Sequence, residues 1–130
     1  FNKVQWLMEH YDATTQDYEK YAIKLDENQY TRNLIKNSPY FTLMLLMWPA
    51  NIASPVHDHG GSECWLRVVK GSLEERFYEK PDKESSPIQL RFSQVHKADA
   101  VCFINDEQGL HSISNPSDDE WSISLHCYVP

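Results

Sequence analysis

The chain has 130 residues, 41% of them hydrophobic and 12% aromatic, which suits one domain with a buried core. Its formal net charge is −7 and it holds no basic cluster, which argues against a nucleic-acid or anionic-membrane partner. The longest apolar run, Leu43 to Trp48, is far too short to span a bilayer, and no signal-peptide pattern is present. Cys64, Cys102 and Cys127 are too few and too irregular for a disulfide framework, so the cytoplasm is the expected compartment. Cys102 and Cys127 lie in apolar runs and read as core packing. The chain opens at Phe1 and closes at Pro130 directly after an apolar run, and is expected to be the central part of a longer one.

Residues 3–25 carry helical spacing. Val4, Leu7, Met8 and Tyr11 make one stripe, and Tyr18, Tyr21, Ala22 and Leu25 make a second. Thr14 or Thr15 serves as the N-cap between them, with Asp17 and Glu19 in the new first turn. A helical lead-in is therefore predicted over 1–28, its aromatic stripes serving as core contacts. After Tyr30-Thr31-Arg32-Asn33 the pattern becomes β-type. Phe41 to Trp48, residues 56–59 and residues 63–70 read as strands, and Gly71-Ser72 turns into Leu73 to Glu79. Lys80 to Pro87 is a polar, exposed connection. Ile88, Leu90 and Phe92 alternate with polar residues, and 100–104 is another short apolar run. Many short strands separated by turns predict a single mainly β domain, a sandwich or small barrel over 40–130.

The last strand keeps period two over nine residues. Trp121, Ile123, Leu125, Cys127 and Val129 share one face, while Ser122, Ser124, His126 and Tyr128 share the other. The polar row either faces water or faces a barrel interior as a hydrogen-bonded relay, and the pattern alone leaves both open.

His57 and His59 are two residues apart. In a strand they aim both imidazoles at one point while Asp58 turns away. Taken alone, the pair reads as two solvated side chains on a surface strand. A third histidine, His111, changes the balance toward a metal site. Three neutral imidazoles without a carboxylate suit zinc, iron, copper or nickel, and fit calcium or magnesium poorly. They also leave up to three positions of an octahedral ion open, room for a bidentate substrate together with dioxygen. His10 and His96 are expected to be solvated.

His57-x-His59, four residues, Cys64, six residues and Gly71 is similar to the first cupin motif, with cysteine where most cupins carry glutamate. His111-x-x-x-Asn115 is similar to the second. Together with Tyr30-Thr31-Arg32-Asn33 and Ser124-Leu125-His126-Cys127-Tyr128, they make the chain resemble the cysteine dioxygenases of the eukaryotic type, from about residue 3 to the end. Two departures concern turns. Asn51 stands where cupins usually have the first motif's glycine, and the second motif lacks its proline. Glu63 is a competing carboxylate ligand, but the six-residue gap to Gly71 favours Cys64 as the motif position.

The resemblance implies a cupin-type small β-barrel, a double-sheet jelly roll, behind the helical lead-in. It implies a mononuclear Fe(II) held by His57, His59 and His111, with L-cysteine and dioxygen as substrates and cysteine sulfinic acid as product. Such a reaction lies in cysteine catabolism, on the way to taurine. Arg32 would pair with the substrate carboxylate, supported by Tyr30. Cys64 and Tyr128 would form the family's thioether crosslink, with His126 and Ser124 behind the phenol and Trp48 alongside it. Leu46, Val56, Leu66 and Ile113 would form apolar pocket wall, or equally ordinary core. A monomer is expected. Two rival functions are a related mercapto-acid (3-mercaptopropionate) dioxygenase, against which Arg32 and Cys64 count, and a non-catalytic metal-binding cupin.

Overall fold

The computed structural model describes residues 1–130. Helix α1 spans Lys3–His10, and the Asn2 side chain caps it by accepting from the Gln5 amide at 2.9 Å. The second predicted helix does not form. Two 3₁₀ turns, Ala13–Thr15 and Asp17–Tyr21, replace it. Asp12, not Thr14 or Thr15, caps the first by accepting from the Thr14 amide and hydroxyl, and Gln16 then breaks the path with φ +56. Side-chain bonding of this kind competes with helix propagation.

Eight strands follow: β1 (Thr31–Asn37), β2 (Thr42–Trp48), β3 (Glu63–Lys70), β4 (Ser72–Glu79), β5 (Gln89–Lys97), β6 (Val101–Ile104), β7 (Leu110–Ser114) and β8 (Ser122–Val129). They make two antiparallel sheets, ordered β1-β2-β8-β3-β6 and β5-β4-β7. The barrel starts at Thr31 rather than near residue 40. Strand β1 lies at a sheet edge with its alternate residues exposed, so its apolar content is too low to signal a strand. Residues 56–59 are not a strand; their only sheet-like contact is a bridge between His57 and His111.

The larger sheet is buried on both faces, which explains the uninterrupted apolar character of β2. Leu45 and Met47 point outward with Ile123, Leu125 and Cys127, and pack with Met8 of α1. Leu46 and Trp48 point inward and meet Leu66, Val68, Leu73 and Ile113 between the sheets. Buried Arg67 of β3 ties the lead-in to this frame. Its guanidinium donates to the carbonyls of Met8 and Tyr11 and pairs with Asp99 at 2.9 Å. The functional side chains lie in the inner space, at the end of the sandwich where the loop 49–62 crosses.

Candidate metal centre and its pocket

His57 and His111 are joined by two peptide hydrogen bonds, His57 N–H to His111 O at 2.9 Å and the reverse at 3.1 Å. His59 is set by its loop instead. The Asp106 carboxylate accepts from the amides of His59 at 2.8 Å and Gly61 at 2.7 Å. Gly60 and Gly61 follow with φ of +58 and +86, a consecutive left-handed pair that a side chain would strain. The three rings thus converge, although His57 and His59 owe this to a bridge and an anchored loop rather than to strand alternation.

The Nε2 atom of His111 lies 3.1 Å from Nε2 of both His57 and His59. Two partners assign the tautomers. His57 Nδ1 donates to the Pro55 carbonyl at 2.9 Å, and His111 Nδ1 donates to Glu75 Oε2 at 2.8 Å. Both rings therefore turn an Nε2 lone pair toward the common point, where lone pairs repel unless a cation lies between them. The spacing suits one: ligands at right angles on a metal with bonds of about 2.1 Å sit roughly 3 Å apart. Burial, followed by the neighbouring imidazoles, pushes His59 down to about 4, and burial also lowers His57. Both stay neutral near pH 7, the form that ligates a metal.

A cavity of about 380 Å³ opens beside the three nitrogens. Tyr30, Arg32, Leu46, Trp48, Cys64, His126 and Tyr128 line it, and fully buried Ser124 stands behind His126. Arg32 projects from edge strand β1 with its guanidinium carbon 5.8 Å from the Tyr128 ring centre. Tyr30 stacks on Trp48 at 4.6 Å. Cys64 of β3 and Tyr128 of β8 are direct cross-strand partners, so their side chains project side by side on one sheet face. Leu66 and Ile113 also form wall, but Val56 does not: it points out and is 37% exposed.

The polar row of β8 faces this interior, which settles the choice its sequence left open. Trp48 Nε1–H donates to Ser124 Oγ at 2.8 Å, and Ser124 Oγ lies 2.7 Å from His126 Nε2. Indole can only donate, so the serine oxygen accepts from Trp48 while also bonding the His126 ring. His126 Nδ1 lies 3.4 Å from the Tyr128 oxygen, which continues the line to the phenol. Burial drives His126 down to about 3 and Tyr128 up to about 12, so both remain neutral across the working range.

Four residues of the site escaped sequence reasoning. Glu75 is 2% exposed and accepts from His111 Nδ1; its other oxygen lies 2.9 Å from His96 Nε2. His96 is thus buried and paired rather than solvated, because register sets it opposite the fully buried Leu73. Cys102 packs on the inner core and also lines the cavity. Asp106 anchors the His59 loop. The one available signal was Glu75 itself, an acid in phase with Leu73 and Phe77 on one face of β4. Asn51, at the glycine position of the first motif, has φ +63, a glycine-like conformation that asparagine tolerates.

The family model for cysteine dioxygenase type I matches residues 1–130. The chain belongs to the cysteine dioxygenase type I family. It is 37% identical over 129 residues to cysteine dioxygenase type 1 of Homo sapiens and 39% identical over 130 residues to that of Danio rerio. In both cases 98% of this chain is covered, and it spans 64% of the relative's length. Among solved structures it is similar to a Klebsiella pneumoniae protein with a double-stranded β-helix domain (TM-score 0.67, 12% identity, 88% of this chain and 87% of that one). It is also similar to a cupin domain from Schizosaccharomyces pombe (TM-score 0.62, 16% identity, 83% of this chain and 64% of that one). The fold is the cupin double-stranded β-helix expected from the motifs. No helix is long and apolar enough to cross a membrane.

Proposed function

We propose that this chain is a thiol dioxygenase that oxidises L-cysteine with dioxygen to cysteine sulfinic acid, using Fe(II) held by His57, His59 and His111. The observation that carries the reading is the convergence of three imidazole nitrogens beside a pocket flanked by Arg32 and Tyr128. When bound, ferrous iron supplies open coordination positions for a thiolate and dioxygen, and the electronic means for them to react. The net reaction places both oxygen atoms on one sulfur, so no other reductant is consumed.

The protein's share is positioning and proton control. The planar guanidinium of Arg32 grips a carboxylate in bidentate fashion, which fixes the substrate's orientation relative to the histidines. Tyr30, braced by Trp48, walls the same side. Tyr128 offers a phenol hydrogen in a direction set by the Trp48–Ser124–His126 chain, so little freedom is lost when it donates. Leu46, Leu66 and Ile113 limit water around the thiol. The three free thiols suit a reducing compartment such as the cytoplasm.

The cross-strand pairing of Cys64 with Tyr128 supports a thioether between the sulfur and a ring carbon beside the phenol oxygen. Forming it removes the thiol hydrogen and one ring hydrogen, with two electrons passing to dioxygen. Intact mass after turnover with iron and cysteine is expected to include a species lighter by two hydrogens. Cys64→Ser should lack that species yet keep iron and part of its activity, because the crosslink tunes the phenol and is not the reacting group. Complete loss of turnover with intact iron would contradict that weighting. The function itself is tested by oxygen uptake with Fe(II) and L-cysteine: one dioxygen per cysteine, with sulfinate as product, is expected, and cystine with peroxide as the sole products would refute it.

A further inference from the structure

Strand β4 is the middle strand of the smaller sheet, with β5 on one side and β7 on the other. Glu75 lies on it, two residues from Leu73, which pairs with His96, and two from Phe77, which pairs with His111. Diagonal neighbours on one sheet face are within side-chain reach, and both oxygens of the carboxylate are used: Oε1 toward His96 Nε2 at 2.9 Å, Oε2 toward His111 Nδ1 at 2.8 Å. All three residues are buried, with exposures of 2%, 8% and 3% for Glu75, His96 and His111. The result is a continuous line, His96–Glu75–His111, running from edge strand β5 to the proposed iron position.

The three histidines differ sharply in what stands behind them. His111 has a carboxylate, His57 has a peptide carbonyl, and buried His59 Nδ1 has no partner in the protein. A carboxylate behind an imidazole fixes its ring, holds the proton on Nδ1 and makes Nε2 the better electron donor. It also brings an anion close to a dication that is otherwise surrounded by neutral ligands. Cys102 lies with Glu75 and His96, their ligand atoms within 4.8 Å of one another. Because the Glu75 oxygens are already committed, that trio supports the first centre rather than forming a second one.

We propose that Glu75, held in place by His96, is the positioning residue that makes His111 the anchoring ligand of the metal centre and sets its electron density. This rests on the three-histidine metal reading. Glu75→Gln keeps the shape and removes the charge. Cobalt(II) titration of the apoprotein, followed by visible absorption, is expected to show affinity weakened roughly 10- to 100-fold, the usual cost of losing a partner behind a metal ligand. The iron-loaded variant should also show a higher Fe(III)/Fe(II) potential, since less negative charge then favours the reduced ion. A change in fold alone would not move the potential in a protein whose melting temperature is unaltered. Cobalt affinity and potential both equal to the parent's would overturn the proposal. Failure of the parent itself to bind cobalt would instead refute the metal reading. Should Glu75→Gln not fold, His96→Gln decides: loosening the carboxylate is expected to weaken cobalt binding about three- to tenfold, and parental affinity there would overturn the proposal.

Discussion

His111→Ala is expected to lose iron and stability together, whereas His57→Ala loses iron alone. Each variant removes one of three nitrogen donors, so each should weaken binding by more than the roughly 10- to 100-fold that loss of an outer partner costs. The difference lies in what is left behind. His57 Nδ1 bonds a peptide carbonyl at a half-buried position, and its removal lets water take that place. His111 Nδ1 bonds Glu75, which stays below its ordinary pKa because hydrogen bonds from His111 and His96 outweigh the burial that would raise it. Removing His111 leaves this buried carboxylate half-partnered, and a buried acceptor that loses a hydrogen-bond partner costs roughly 1–3 kcal/mol. Metal content of the two iron-loaded variants and thermal melting of their apoproteins check both halves. Full iron in either variant would refute the ligand assignment, and equal melting temperatures would refute the role given to Glu75 in the fold.

Arg32→Ala is expected to raise the apparent KM for L-cysteine roughly 10- to 100-fold with iron content unchanged, from loss of charge-assisted hydrogen bonds of roughly 1.5–3 kcal/mol. Its guanidinium sits at the open edge of the pocket, 5.8 Å from the Tyr128 ring, with no carboxylate of the protein paired to it. Oxygen uptake with cysteamine, which has the amine and thiol but no carboxylate, should be the same in parent and variant. An equal loss with cysteamine would show that Arg32 supports the pocket rather than the substrate. In the parent, a higher kcat/KM for 3-mercaptopropionate than for L-cysteine would move the substrate to the mercapto acids.

The period-two row of β8 was legible because side-chain alternation is a local property, and Ser124, His126 and Tyr128 do form one inward line. The 56–59 segment shows the opposite case. Two histidines at i and i+2 predict a strand there, but their convergence comes from a bridge to His111 and from Asp106, residues more than forty positions away. Glu75 follows a second acid, Glu74, and the pair reads as a solvated charge until β5 and β7 close over one of them. His96 sits between Val95 and Lys97 on an edge strand, and only register opposite Leu73 shows that it is buried. The lead-in failed for a local reason: Asp12 captures Thr14 and ends the helical path before the second stripe can use it. Ligand types were readable from residue identity, but what stands behind them depends on strand pairing that no single segment contains.

The most direct measurement is iron K-edge X-ray absorption on the anaerobic ferrous protein, before and after L-cysteine is added. The result expected is a set of imidazole scatterers from three histidines, joined by one sulfur at bonding distance once cysteine is present. An iron shell without the imidazole signature, or one that gains no sulfur at saturating cysteine, would contradict a three-histidine centre that receives a thiol.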